Sequence, residues 1–346
     1  MNPARPRRAI LQFVLYERIV RPVLFLSDPE TAHASAMGVL RALGRGHGLA
    51  PAVRRRMIAD ARPAEAWGIR FPSRLGVAAG FDKDATALWG LYALGFGFVE
   101  VGSVSARPWP GNPRPRVFRL PADRALVNRM GLPSQGVAAV VPRLASRPPF
   151  PVLVNVAKTA DPGLNGDAAV EDICATVAAV LPHCDAVVLN LSCPNTADGR
   201  TFEDPAALRE LLGAVRRVPG PPRPIAAKLS PDLAPDALAA VVDEAVRGGV
   251  RGFVATNTTR SRPGLATPDP PSPGGLSGAP LRTTAVATVR AIRGACDRGC
   301  AVVGCGGVSG PDDVREFLDA GADLVEAYTG FIYRGPFFCR KVMKGV

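Results

Sequence analysis

Ala186-Val187-Val188-Leu189-Asn190-Leu191-Ser192-Cys193-Pro194-Asn195-Thr196 opens on an apolar run and ends in two amides flanking a thiol, stiffened by a proline. Four successive apolar residues suit a strand buried on both faces, because a half-buried strand would alternate apolar with polar. The polar end suits a site that grips a flat polar ligand and moves a proton, since an amide side chain both donates and accepts hydrogen bonds.

Runs of the same kind recur at 75–79, 98–102, 152–156, 225–229, 252–256, 301–304 and 323–328. Helix-like segments lie between most of them, at 84–94, 170–181, 205–217, 235–247, 283–292 and 311–320. Several of these begin with a capping residue or an early proline, as in Asp204-Pro205, Pro235-Asp236 and Gly310-Pro311-Asp312. Continuous apolar strands alternating with helices predict an α/β fold with a buried parallel sheet. Eight such units in about 270 residues predict a (β/α)8 TIM barrel. The two longer connections, 103–151 and 257–300, are expected to be elaborated loops at its mouth.

Residues 1–62 precede the first strand and read as an N-terminal helical appendage to a barrel spanning 63–346. Ile10, Phe13, Val14, Ile19, Val23, Leu24 and Leu26 suggest one short amphipathic helix. Met37, Leu40 and Leu43 suggest a second, after the cap-like Ser27-Asp28-Pro29-Glu30. The plainer alternative is a cap that plugs the bottom of the barrel.

Composition narrows the function. Among 346 residues there are 36 glycines and 35 prolines, as many short loops require. No apolar stretch approaches the roughly 18–20 residues of a membrane-spanning helix. Glu17, Arg18 and Arg21 break the segment that would otherwise resemble a signal peptide, so a cytoplasmic location is expected. Seven cysteines without a Cys-x-x-Cys pair, beside three histidines, argue against both a disulfide framework and a metal site. The formal charge is +12, and residues 1–62 carry 11 arginines against 4 acids. No basic stretch interleaves aromatics, so nucleic acid is not the expected partner. An anionic membrane surface fits that segment, as does plain arginine-rich composition.

In such barrels the active site is built at the C-terminal strand ends. Those ends carry Ala79-Gly80-Phe81-Asp82-Lys83, Ser103, Asn155 with Lys158, the Asn190–Thr196 segment, Lys228, Thr256-Asn257-Thr258, Gly304-Cys305-Gly306-Gly307 and Tyr328-Thr329-Gly330. Three of the chain's five lysines, Lys83, Lys158 and Lys228, fall there. One could form a Schiff base, as in an aldolase, or several could face an anionic or electron-rich ligand. Gly306-Gly307 and Thr329-Gly330 after the last two strands suggest a phosphate cradle. Asn128, Asn190, Asn195 and Asn257 are candidates to hold a ring with several carbonyl and N–H groups.

Further motifs sharpen this reading: Ala78-Ala79-Gly80-Phe81-Asp82-Lys83, Gly102-Ser103-Val104, Pro110-Gly111-Asn112-Pro113, Phe118-Arg119-Leu120, Asn128-Arg129-Met130-Gly131, Ala255-Thr256-Asn257-Thr258-Thr259, Gly274-Gly275-Leu276-Ser277-Gly278 and Tyr328-Thr329-Gly330-Phe331-Ile332. On these the chain, from about residue 20 to 340, resembles the dihydroorotate dehydrogenases, FMN-dependent barrel enzymes of pyrimidine biosynthesis. Its layout is similar to that of the class 2 branch, which is membrane-associated and reduces a quinone. Asp28-Pro29-Glu30-Thr31-Ala32-His33 matches that branch's Asp-Pro-Glu-x-Ala-His.

The resemblance implies FMN contacts from Ala79, Gly80, Lys83, Ser103, Asn155, Asn190, Lys228, Thr256, Gly278, Gly306, Gly307, Tyr328 and Thr329. It implies a dihydroorotate site from Lys83, Asn128, Arg129, Met130, Gly131, Leu132, Asn190, Asn195, Asn257 and Thr258, with a quinone site at His33 and Arg119. Cys193 would be the base that removes the C5 proton while hydride leaves C6 for the flavin, and Lys228 would stabilise negative charge there. Lys83 and Asn128 would assist catalysis. The protein would lie at the inner face of the cell membrane, with residues 1–62 forming a quinone tunnel.

The chain also departs from the class 2 pattern. Cys193 stands where that branch has serine, and cysteine is the choice of the soluble class 1 branch. Leu132-Pro133-Ser134 replaces Phe-Asn-Asn, Asn155-Val156-Ala157-Lys158-Thr159 replaces Asn-x-Gly-Lys-Asn or -Thr, and Glu326 replaces a glutamine. These changes leave room for a paralogous FMN oxidoreductase acting on another small ring.

Overall fold

The computed structural model describes residues 15–45, 48–58, 61–192, 201–262, 264–296 and 299–346. Eight strands close into a parallel barrel in chain order. They are β1 (Leu75–Val77), β2 (Phe98–Val104), β3 (Val152–Val156), β4 (Ala186–Asn190), β5 (Ile225–Leu229), β6 (Gly252–Ala255), β7 (Ala301–Cys305) and β8 (Leu324–Ala327). Strands β3, β4 and β5 begin and end as expected. At the other five, the ends shift by one to two residues.

Strand alternation sorts the interior into layers. Phe98, Leu153, Val188, Ala226, Val303 and Leu324 share one apolar cluster inside the barrel. Two residues further along the same strands stand Glu100, Asn155, Asn190, Lys228, Cys305 and Glu326. The sheet register sets Asn190 beside Lys228 and Cys305 beside Glu326. The apolar layer therefore supports a polar layer directly above it. A second, larger core of Val, Leu and Phe side chains joins the outer strand faces to the surrounding helices.

The bottom of the barrel is plugged by an antiparallel hairpin, Ala64–Ala66 with Ile69–Phe71, that sequence reading missed. Phe71 is fully buried, edge-on to Phe98 with ring centroids 5.3 Å apart. Truncating such a buried ring costs about 3–5 kcal/mol.

The N-terminal helices therefore do not plug the bottom; they sit at the mouth. They are Arg21–Leu26, preceded by a short wide turn at Tyr16–Val20, then Pro29–Gly44, and an unexpected third, Leu49–Met57. Asp28 caps the second, its carboxylate accepting from the Glu30 and Thr31 amides at 2.9 and 3.1 Å, with Pro29 opening the first turn. That helix lies tight against Leu88–Ala93: a Cβ on Gly90 would stand 2.3 Å from the Leu40 carbonyl oxygen. Buried Arg54 fixes the third helix by donating to the Tyr92 and Phe96 carbonyls, both at 2.7 Å.

The two long connections are more ordered than elaborated loops. Val117–Leu120, Ala125–Asn128 and Gly275–Gly278 form one antiparallel sheet that ties them together over the mouth.

Candidate active site

A cavity of about 1290 Å3 runs from the barrel's polar layer to the N-terminal helices. Its floor is an ion cluster. Lys228 Nζ donates to Glu100 Oε2 at 2.7 Å and stands 3.8 Å from Glu326 Oε2. Glu100 and Glu326 are fully buried and Lys228 nearly so. Asn155 Nδ2 donates to the other Glu100 oxygen at 2.6 Å. Burial alone would push Lys228 down, but Glu100, with Cys305 and Glu326, holds its ammonium above the ordinary lysine range. Burial likewise opposes ionisation of Glu100, yet Lys228 and Asn155 keep it below the usual carboxylate range. Glu326 is driven well above that range, by burial and then by the Glu100 charge.

The amides form a chain above this floor. Ser103 Oγ donates to Asn155 Oδ1, and Asn190 Nδ2 donates to Ser103 Oγ at 3.1 Å. Asn257 Nδ2 reaches Asn190 Oδ1 at 2.9 Å and the Ser192 carbonyl at 2.8 Å. Four strand ends are thus locked in one orientation. Phe202 N donates to Leu191 O at 3.2 Å, which ties the described residues on either side of segment 193–200 together. Beside this tie, Glu203 accepts from the Ser230 amide at 2.7 Å, and burial raises its carboxyl.

The β7 end supplies an expected tight turn, and the end of the mouth-sheet strand Gly275–Gly278 supplies a second. Gly307 has φ +77°, and a Cβ there would meet Arg282 Cβ at 2.6 Å and Gly278 O at 3.0 Å. Gly278 has φ +99° and faces the Arg124 carbonyl at 2.4 Å from an added Cβ. Side chains larger than hydrogen are excluded from both turns, which leaves their main chain open to the cavity. Asp313 braces the same loop, accepting from Ser309 N and Gly310 N at 2.8 and 2.9 Å.

The far end of the cavity is apolar. His33 lies edge-on to Phe81 at 5.1 Å, and burial, with Lys83 nearby, pushes its imidazole down to about 4. It is neutral at physiological pH. Arg119 donates to the Phe25 and Ser27 carbonyls at 3.2 and 2.7 Å and stacks 4.5 Å from the Phe25 ring. Glu30 pairs with Arg116 and Arg114 at 3.0 and 3.1 Å, so the helix that carries His33 is tied to the first insertion.

Almost all of the expected site residues come together. Ala79, Gly80, Lys83, Ser103, Asn128, Met130, Leu132, Asn155, Asn190, Lys228, Thr256, Asn257, Thr258, Gly278, Gly306, Gly307, Tyr328, Thr329, His33 and Arg119 line the one cavity. Arg129 and Gly131 do not. The Arg129 guanidinium turns away to the Pro115 carbonyl and the Phe118 ring, and Gly131 packs on Asn112. Lys158 also lies elsewhere, donating to Leu164 O at 2.9 Å, so only two of the three strand-end lysines face the cavity. Cys193 and Asn195 lie outside the described residues. Glu100 was missed, although an acid inside the apolar run 98–102 needs a buried cation to justify it, and Lys228 is that cation.

The polar groups fit a flavin. The fully buried Glu326 has no protein hydrogen-bond partner on either carboxyl oxygen among the described residues, and it lines the cavity beside an ammonium. Next to them lies an amide wall for a ring with carbonyl and N–H edges, and at one end a glycine cradle for a phosphate. Among the described residues no group of His, Cys, Asp or Glu could hold a metal.

Comparison with known proteins agrees with this geometry. The family profile described as dihydroorotate dehydrogenase matches residues 63–346. The chain is 42% identical over 340 residues to the dihydroorotate dehydrogenase (quinone) of Acidithiobacillus ferrooxidans, covering 94% of this chain and 93% of that one. It is 44% identical over 329 residues to the enzyme of the same name from Thermus thermophilus, covering 93% and 94%. The crystal structure of DHODH from Eimeria tenella in complex with ferulenol superposes with a TM-score of 0.81 at 31% identity, covering 92% and 90%.

Proposed function

The chain belongs to the dihydroorotate dehydrogenase family, and from that premise we propose that it oxidises dihydroorotate to orotate with FMN in the barrel mouth and a quinone as acceptor. The observation that carries this reading is the single continuous cavity, with an ion cluster and amide wall at one end and an apolar passage between helices at the other. A flat polar ring and an apolar acceptor can share such a cavity without sharing a subsite.

Ala79, Gly80, Ser103, Asn155, Asn190, Lys228, Thr256 and Tyr328 would hold the ring, and Gly278, Gly306, Gly307 and Thr329 the phosphate. Bound FMN would supply the acceptor for the hydride that leaves C6 of the substrate. The protein's own contributions are a base, a charge and an orientation. Cys193 takes the C5 proton; a thiol ionises near pH 8.5 and a neighbouring cation lowers that value. Lys228 sets a fixed positive charge where negative charge develops. Asn128, Asn190, Asn195, Asn257 and Thr258 orient the substrate ring, and the sheet over the mouth keeps water away from it.

Lys228 is held protonated by Glu100. A Schiff-base lysine needs a neutral amine, which speaks against Lys228 in that role, and the dehydrogenase names of the relatives speak against the aldolase alternative as a whole.

The helices of residues 1–62 would receive the quinone and dock on the inner face of the cell membrane. Leu15, Ile19, Val20, Val23, Leu26, Val39 and Leu49 make up the exposed large hydrophobics among the described residues, and all lie in this segment. No helix among the described residues is long and apolar enough to cross a membrane, so contact would be peripheral.

The test is an anaerobic spectrum. Purified yellow protein should bleach when dihydroorotate is added and recover its colour with a soluble quinone. A flavin that stays oxidised with dihydroorotate but bleaches with another small ring would transfer the assignment to a paralogous oxidoreductase.

A further inference from the structure

Two carboxylates and one ammonium meet at the cavity floor, and among the described residues no other charged side chain pairs with them. Glu326 is flanked by β7, which brings Cys305, and by β1, whose Leu75–Val77 brings no titratable group; Glu100 and Lys228 face it across the barrel. Were all three ionised, the buried cluster would carry a net charge of −1. Two carboxylates this close to one cation do not both ionise in a medium of low polarity, so one keeps a proton. Hydrogen bonding decides which. Glu100 has both oxygens engaged as acceptors, one from Lys228 and one from Asn155. Glu326 accepts from neither, and its nearer oxygen is 3.8 Å from the ammonium.

We propose that Glu326 is a positioning residue that stores one proton under the cofactor site, keeping the Glu100–Lys228–Glu326 cluster electrically neutral, and that loss of this proton to solvent in alkali turns the cluster to −1 and lowers the reduction potential of the bound cofactor. The proton's location rests on the protein alone. Its effect on the potential rests on the flavin reading above. Glu326 acts through charge and through Lys228. A carboxylic acid there leaves the ammonium offset by Glu100 alone, whereas a second carboxylate adds an uncompensated negative charge near an electron-rich ring.

Difference infrared spectroscopy of the purified holoenzyme tests the first part. A protonated-acid C=O stretch that shifts in D2O is expected at neutral pH in the wild type and is expected to vanish in Glu326→Gln. It should vanish in Glu100→Gln as well, because Glu326 then becomes the sole counter-ion of Lys228 and must ionise. A wild type without this band overturns the proposal. So does a band that survives Glu326→Gln, which would put the protonated acid outside this cluster. Spectroelectrochemical titration tests the second part. The wild-type potential should fall away from that of Glu326→Gln as pH rises, the two agreeing near neutrality. Parallel curves overturn the charge-control role. A protein that shows the infrared pattern yet fails to bleach with dihydroorotate would refute the substrate assignment and leave the stored proton intact.

Discussion

The floor and the rim of the cavity break opposite rules of folding, and they resolve the breach differently. At the floor, charges are buried where apolar atoms belong. The chain resolves this internally, with Lys228 between two acids and Asn155 completing Glu100. At the rim, large apolar side chains are exposed, Leu26 at 87% and Val39 at 69%. No described residue covers them, which is the signature of a surface meant for something else. The floor is thus finished by folding, whereas the rim is the surface proposed to meet a membrane. Substitutions at the two ends should therefore damage different properties.

Lys228→Ala attacks the floor and has the largest expected effect. It strands two buried acids, and breaking such a cluster costs about 3–5 kcal/mol. Denaturant unfolding should show that loss together with loss of the yellow colour. Retained stability would mean that water reaches the cluster. Cys193→Ala spares the floor's charges and removes only the proposed base. Reduction by dihydroorotate should slow by roughly 10²–10⁴-fold, while reoxidation by quinone stays the same in stopped-flow traces. Equal slowing of both halves would remove Cys193 from the proton-transfer role.

His33 lies between the two regions, and its effect is smaller and depends on pH. Its folded-state value of about 4 lies below the ordinary histidine value, so the unfolded chain binds the extra proton first as pH falls. Stability is complete above pH ~6.5 and is lost progressively from there down to about 4, by at most ~3–4 kcal/mol. His33→Gln should flatten thermal stability across that window; an unchanged slope would show that other groups set it. Val23→Asp with Leu26→Asp attacks the rim and should be nearly silent in the test tube, within about ±0.5 kcal/mol. The same pair should abolish flotation with anionic vesicles. A protein that still floats would shift membrane docking to the arginines.

The barrel was legible because buried parallel strands are written as local apolar runs. β3, β4 and β5 have polar or proline punctuation at both ends, and their limits came through unchanged. β1 and β8 blend into polar strand-end motifs, and their limits did not. The sheet over the mouth was illegible for a different reason. Gly275 pairs with Asn128 across nearly 150 positions, and no periodicity reports a partner that distant. The site was legible in kind, since amides, lysines and glycines at strand ends speak for themselves. It was less legible in membership. Lys158 and Arg129 differ from Lys83 and Asn128 only in which way a short loop turns. His33 and Arg119 were reachable through resemblance alone, because a neutral histidine on a helix carries no chemical signal until the cavity beside it is seen.

Three of the ties that hold the N-terminal helices, set apart from the Glu30 and Glu17 ion pairs, share one property. Tyr16 Oη donates to the Ile332 carbonyl at 2.7 Å, Arg21 to the Tyr333 carbonyl at 3.2 Å, and Arg119 to the carbonyls of Phe25 and Ser27. Every acceptor is main chain, and every amino acid supplies one. Positions 25, 27, 332 and 333 can change identity without unfastening the joint. The greasy surface proposed to meet lipid and acceptor is free to drift toward a different one, while these three donor side chains keep it fastened over the same cavity.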